Sequence, residues 1–418
     1  MRHSRLALVI FFAALGLVRA QDDEKNRPPP VEIPDFSNLD EYTYTPRSTL
    51  TLGFRMLSGA KTRFFGTGKL VSSTDAPGAA TGANLDRVYH DGAVHADTRA
   101  TTRLDSDGNP ITDPTSGAVL TDPIAPDGQT NSWNYLSSTQ PTADGLLSFH
   151  TYSADVSDLT GRKVSGARNG GLELAINRDM GKVFGTRATW SIMAGMSVND
   201  LAAKTTGTVL SNLTTLTDLY SLNGQPIPDA PYSAPSTSST TVVDSNGNAV
   251  LNDDGTTQTA SSDTTTLVGN QPVNRTTSTA ADTTSVTNNW KLHGAYYTFR
   301  AGPTILMPFT QRFSASLSLG AAVVYAGSTY TVTQTYTPAT GADITDTSSD
   351  TISRLLPGYY ADATVQFALT ERAGFYAGAV FQSTGAYTQT INTDASHYST
   401  RIDLGNQSGL RAGMTIRF

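Results

Sequence analysis

"LRAGMTIRF", Leu410 to Phe418, alternates without a break. Leu410, Ala412, Met414, Ile416 and Phe418 fall on one face, with Arg411, Gly413, Thr415 and Arg417 on the other. A period of two with the apolar residues on one face is the pattern of a half-buried β-strand. The sequence stops on this strand, at an aromatic residue, where chain ends otherwise fray. Such a strand needs a partner at its edges, and the rest of the sequence has to supply one.

Seven earlier segments carry the same alternation. They are "STLTLGFRML" from Ser48, "GGLELAINRDM" from Gly170, "TRATWSIMAGMSV" from Thr186 and "WKLHGAYYTFRAGPTILMPF" from Trp290. "RFSASLSLGAAVVY" from Arg312, "RLLPGYYADATVQFAL" from Arg354 and "AGFYAGAVFQSTGAY" from Ala373 follow, so the closing segment from Ile402 makes eight. The faces opposite the apolar rows are small and polar, as in Ser314, Ser316, Ser318 and Gly320. A soluble sandwich would place Lys and Glu there, yet charged residues make up 16% of the chain, where about 25% is typical. A barrel in lipid turns the apolar face outward and the polar face inward. The pattern therefore predicts an all-β fold, a transmembrane antiparallel up-and-down β-barrel of eight strands spanning 48–418. Ten or twelve strands result if "TRFFGTGKLV" from Thr62 and "LLSFHTYSADV" from Leu146 insert as a further hairpin.

The connections alternate in length. "RDMGKVFG", "TQR" and "TER" are tight turns, whereas 60–168 and 200–289 are long. Short turns belong on the periplasmic side of such barrels and long loops outside. At the other end, "MRHSRLALVIFFAALGLVRA" has the basic start, apolar run and small-residue end of a signal peptide cleaved after Ala20. Residues 21–47 read as an acidic, Pro-rich periplasmic lead. The chain has no cysteine, which excludes a disulfide framework and a lipid-modified cysteine anchor. The formal charge is −7, and without the three leader arginines 26 basic residues face 36 acidic ones. The sequence shows no run of basic residues to neutralise a nucleic-acid backbone, so nucleic acid is not an expected partner.

The ending also resembles the C-terminal signal of Gram-negative outer-membrane proteins, polar–x–Gly–x–x–apolar–x–aromatic. Arg411, Gly413, Ile416 and Phe418 fit it. The resemblance is to the small outer-membrane β-barrel class of the OmpA, OmpX and OmpW type, and covers strands rather than loops. It implies residence in the bacterial outer membrane, contact with outer-membrane lipid, and docking of the last strand on the barrel-assembly machinery.

Candidate functional residues fall in three groups. Arg55, Glu173, Asp362 and Arg411 stand on inward faces at similar heights, with Arg300 a little higher and Asp403 higher still. Paired, they would form a lumen charge belt that plugs the barrel, since a lone buried charge is costly. In the long loops, "LDSDGNPITD" and "VDSNGNAVLND" read as related hairpin turns. Asp105 and Asp107 lack the distal Glu of a calcium loop, so no metal or cofactor is assigned. Tyr89, Trp133 and Tyr135 either pack the first loop or meet a ligand. Five histidines follow the leader (His90, His95, His150, His293 and His397), but no spacing selects a serine partner for a catalytic site. His293, at the rim, falls on the apolar-facing side. The expected role is structural or surface interaction through an extracellular partner of the loops. The alternatives are a narrow, porin-like channel for small or apolar solutes and, less in keeping with the residues, a lipid-modifying enzyme.

Overall fold

The computed structural model describes residues 47–418 apart from 73–76, 82–85, 124–126, 166–167, 184 and 254. The leader and all of the lead except Arg47 lie outside the described residues. Twelve strands form the main antiparallel sheet. They are β1 (Ser48–Ser58), β2 (Lys61–Val71), β3 (Leu146–Ser165), β4 (Asn169–Lys182), β5 (Thr189–Ser221) and β6 (Asn274–Pro308). β7 (Phe313–Tyr336), β8 (Ile344–Ala368), β9 (Ala373–Ser383), β10 (Ala386–Asn392), β11 (His397–Asp403) and β12 (Gln407–Arg417) complete it.

Pairing closes on itself. From β1 it runs through β12, β9, β8, β7, β6 and β5 to β4, and β4 pairs β1 again. The closing strand is thus held on both edges, by β1 (Thr49 opposite Arg417) and by β9 (Ala373 opposite Ile416). The remaining four strands stack above this ring. β2 continues β1 after Gly59–Ala60, β4 continues β3, β10 continues β9 after Thr384–Gly385, and β12 continues β11. The breaks at 59–60, 384–385 and 404–406 fall side by side, so this part of the wall is creased at one level while β5 to β8 run through it as unbroken strands.

Two expectations are corrected here. "TRFFGTGKLV" and "LLSFHTYSADV" form strands β2 and β3 that pair with each other, but they lengthen existing paths rather than widen the ring. The stretches 60–168 and 200–289 are also less loop than they read. β2, β3 and the upper parts of β5 and β6 take much of them, leaving connections 72–145 and 222–273.

Side chains divide by height. In the lower ring the outward rows are apolar and exposed, as at Phe54 (71%), Leu410 (69%) and Leu355 (66%). Trp190, Phe309, Phe313 and Phe375 edge this band below, and Tyr297, Tyr325 and Tyr359 edge it above. Higher up, the phase reverses within a single strand. On β7, Val323 and Tyr325 point out, whereas Val324, Ala326, Tyr330 and Val332 point in and Thr329, Thr331 and Thr333 replace them outside. The upper interior is a packed apolar core in which Phe64 stacks on Tyr330 and Trp290, with ring centroids 5.7 and 6.4 Å away.

The two long connections share a second core outside β3 and β5, built on Trp133, Tyr135, Phe149 and Tyr220. Each also sends out a finger, 100–123 and 237–263, with the same tip. In one, the Arg103 N–H donates to Leu120 O, the Ile111 N–H to Arg103 O, and the Leu120 N–H to Ile111 O. In the other, Val242, Val250 and Gln258 repeat that triangle. Asp105 Oδ1 accepts the Asp107 and Asn109 amides at 2.9 and 2.8 Å, and Asp244 Oδ1 accepts Asn246 and Asn248 at 2.8 and 2.9 Å. Those amides hold both carboxyls below the usual range.

Phe64→Ala removes the ring at the centre of the upper core and should lower the unfolding free energy by about 3–5 kcal/mol. Urea titration followed by tryptophan fluorescence reads this. A loss under about 1 kcal/mol would mean that the upper interior is not close-packed.

Candidate functional site

The lower ring brings four of the six candidate belt residues into one cluster. Glu173 comes from β4, Arg300 from β6, Asp362 from β8 and Arg411 from β12, each on the inward phase of its strand. Arg411 donates to Glu173 Oε1 through Nε at 2.7 Å and reaches Asp362 Oδ2 through Nη1 at 2.9 Å. Arg300 reaches Glu173 Oε2 at 2.8 Å and Asp362 Oδ2 at 3.4 Å. Each arginine therefore bridges both carboxylates, and the four groups form a closed cycle with no net charge. The Tyr376 hydroxyl donates to Glu173 Oε1 at 2.6 Å. Arg411 lies over the Tyr376 ring and Arg300 over that of Tyr360, 5.1 and 5.5 Å from the centroids.

Space for this comes from glycine. Gly53 of β1 stands opposite both Glu173 and Gly413. A Cβ on Gly53 would fall on the Tyr376 hydroxyl, and one on Gly413 would meet the same ring. Gly413, read from the sequence as part of an assembly signal, thus also makes room for the tyrosine that orients Glu173. Arg411 of that signal is a belt residue, while Ile416 and Phe418 stay exposed on the outer face.

Arg55 and Asp403 are placed differently. Arg55 is buried beside the cycle but bonds neutral groups, Ser197 Oγ at 2.6 Å and Gln382 Oε1 at 2.9 Å. Asp403 is not in the belt. It ends β11 above the crease, where its Oδ1 accepts the Gly405 N–H at 2.9 Å. Arg300, expected a little higher, bonds at the level of Glu173. Below the cycle lies a polar vestibule of about 290 Å³, lined by Thr51, Asn177, Ser191, Ser316, Thr364 and Thr415 among others.

The loop candidates resolve into packing. Tyr89, Trp133 and Tyr135 are all buried. Tyr89 donates to Asp218 at 2.5 Å, and the Trp133 indole donates to Thr266 O at 2.7 Å. Burial, followed by the Asp218 bond, pushes the Tyr89 phenol far up. Arg275 also grips Asp218, at 2.5 and 2.6 Å. His293 is exposed on the outer face of β6.

Sequence reasoning missed one pair. Asp91, fully buried, accepts the His150 amide at 2.7 Å and its Nδ1 at 2.6 Å. Next to Asp91, His90 bonds Ala342 O through Nε2 at 2.8 Å. The turn carrying His90 and Asp91 is thereby fastened to β3 on one side and to the β7–β8 connection on the other. The sequence separation of 59 between Asp91 and His150 leaves no spacing signal to find.

No family model and no curated protein matches this chain. Among solved structures, it resembles the outer membrane protease OmpT from Escherichia coli at 8% identity and TM-score 0.28, covering 90% of this chain and 98% of that one. Ail, the attachment invasion locus protein of Yersinia pestis, gives 8% and 0.20 over 88% and 99%. A Pseudomonas aeruginosa FadL homologue gives 9% and 0.19 over 89% and 90%. Likenesses this slight carry none of the functional reading.

Glu173→Ala leaves two buried arginines sharing one carboxylate and should cost about 3–5 kcal/mol of stability. Adding Arg300→Met to Glu173→Ala should recover part of that loss. Unfolding free energies of the single and double variants measure the coupling, and additive losses would dissolve the cycle.

Proposed function

We propose that the chain is an outer-membrane β-barrel of eight strands whose interior is closed and whose function lies in its extracellular loops. The observation that carries this reading is the inverted polarity of the lower ring. Its outward rows expose large apolar side chains on every strand, while its interior holds salt-bridged charges. In water this arrangement is unfavourable, and in lipid it is the stable one. The outward apolar run of β7 extends over twelve steps from Phe313 to Tyr325. At ~3.4 Å per step and ~40° of tilt it spans roughly 30 Å, the thickness of a bilayer's hydrocarbon core. Trp190, Phe309, Phe313 and Phe375 would then lie at one interface, with Tyr297, Tyr325 and Tyr359 at the other.

Three layers support a closed lumen: the ionic cycle, the Phe64–Trp290–Tyr330 core above it, and the turn at His90–Asp91 fastened over the top. The role is accordingly non-enzymatic surface interaction. Connection 72–145 carries ten Asp against three Arg, and 222–273 carries five Asp with no Lys, Arg or His. Such a surface favours a basic partner. The vestibule supports a second reading, a narrow channel, because it leads from one end of the ring up to the ionic cycle.

Three measurements test the reading. The protein should fractionate with outer membranes and migrate faster unheated than boiled, and recovery as a soluble species would defeat it. In planar bilayers it should carry little steady current, and a large, stable conductance would favour the channel. Deleting Phe418, which would remove the aromatic end of the docking strand, should lower membrane yield without affecting export. Unchanged yield and gel migration would remove the assembly role.

A further inference from the structure

Just above the crease, cations face one another across three adjacent strands. Arg63 on β2 stands directly opposite Arg401 on β11 and Lys163 on β3. All three are exposed, and their neighbours Thr62, Ile402 and Val164 pair on the inward side. Lys61 follows two residues below Arg63 on the same outer face. Like charges directly opposite in a sheet are destabilising. Here two such pairs share one residue.

Carboxylates do not compensate the row. Among the described residues no ion pair within 4.0 Å involves Lys61, Arg63, Lys163 or Arg401. Asp403 stands opposite Lys61 but bonds the Gly405 amide, and Asp158 pairs with Arg162. Arg63 is positioned by the backbone, with Nη2 donating to Thr160 O. Gly161, at φ +69°, makes room for it, since a Cβ there would press on Arg63 Nε and Phe64 O. A row of like charges, with Arg63 at its centre oriented by a backbone carbonyl and no ion pair within 4.0 Å among the described residues, is built for an external anion.

Its height identifies the anion. On β1 the outward apolar row ends at Met56, and on β12 it ends at Leu410; Ser58 and Ser408 follow, and then the cations. The row therefore sits where an exposed apolar wall gives way to polar surface. A ligand that fits both has a phosphate head and acyl chains that lie along Leu410 and Met56. The geometry points to a binding site on the outer wall, formed by Lys61, Arg63, Lys163 and Arg401, for a phosphate-bearing lipid of the leaflet next to the loops. This rests on the barrel reading above. Arginine suits the task because its planar fork donates two bonds to one phosphate.

The test uses the full chain refolded in zwitterionic detergent micelles. The probes are an acylated glucosamine disaccharide with two phosphates, the same lipid with its phosphates removed, and inorganic phosphate. Saturable binding of the phosphorylated lipid is expected, falling about fivefold for each cation lost in Arg63→Gln and Arg401→Gln. Arg63→Lys with Arg401→Lys should retain most of the affinity, and Arg312→Gln, in the β6–β7 turn, all of it. Equal binding of the dephosphorylated lipid, or unchanged binding by the double Gln variant, would overturn the site. So would an equal loss in Arg312→Gln. Inorganic phosphate binding as tightly as the lipid would make this a free-anion site and overturn the lipid assignment. A fold check is built in: without lipid, the double Gln variant should unfold at no lower a temperature than the parent, because a repulsion has been removed. A lower temperature would make the row structural and the proposal wrong. Failure of the barrel reading would register separately, as the absence of heat-dependent gel migration.

Discussion

One carboxylate organises the lower ring. Glu173 accepts from Arg411, Arg300 and Tyr376, and those three side chains come from three different strands. Backbone pairing fixes each strand only to its two neighbours, whereas this carboxylate ties β4, β6, β9 and β12 across the interior. The constraint is strict. Taking charge out of water costs several kcal/mol per ion, and that is offset only when every partner is present. Gly53 and Gly413 exist in the wall because Tyr376 must reach Glu173, and the Arg411 position is set by two acids at once. The interior residues are therefore coupled to one another more tightly than the strands that carry them.

The strands themselves are longer than the ring requires. β5 to β8 continue upward without a break, and the reversal of phase along them divides the wall into two environments. Below, apolar residues face out and charge faces in. Above, Thr329, Thr331 and Thr333 face out while Val324, Tyr330 and Val332 pack inward, as in a water-soluble sheet. Between β7 and β8 one hydrogen-bonded register serves both halves, so there the change is made by side chains alone, whereas β5 shifts register against β6 between Val209 and Leu213. The crease lies where β1, β9 and β11 end. At its upper edge, among the described residues, no backbone ladder joins β10 to β8; the Gln389 side chain spans the seam instead, bonding Asp350 O at 2.7 Å.

What the sequence could reveal follows from this. All eight ring strands are legible because their apolar rows keep a period of two over the whole lower wall. The upper extensions are not, because their outward Thr and Ser rows have the composition of a loop and their apolar residues change face. Phe64, Ala154 and Val156 look like parts of an extra hairpin until the break at Gly59–Ala60 is known. The belt is half legible. Glu173, Asp362 and Arg411 can be levelled by counting from their turns, but Arg300 cannot, since the stagger between strands is a property of the closed sheet and not of any one segment. Asp403 is misjudged because the break at Leu404–Asn406 carries it out of the ring. Asp91, in the connection 72–145, and His150, on β3, have no local signature at all.

The chain contains its own comparison for the outer cation row. Inside the ring, Arg55 and Arg411 also stand directly opposite each other, a like pair as close in register as Arg63 and Arg401. There the repulsion is answered within the protein. Arg411 is held by Glu173 and Asp362, and Arg55 turns to Ser197 and Gln382. A buried pair has to find its partners inside the protein because no outside group can reach it. The outer row is exposed, carries a third cation, and draws only a backbone carbonyl to Arg63. Salt and water would screen such a row in solution, but beside an apolar wall the field persists over a longer range. The interior answers Arg300 and Arg411 with two acids and Arg55 with neutral acceptors, whereas the exterior leaves that place to whatever anion lies against it.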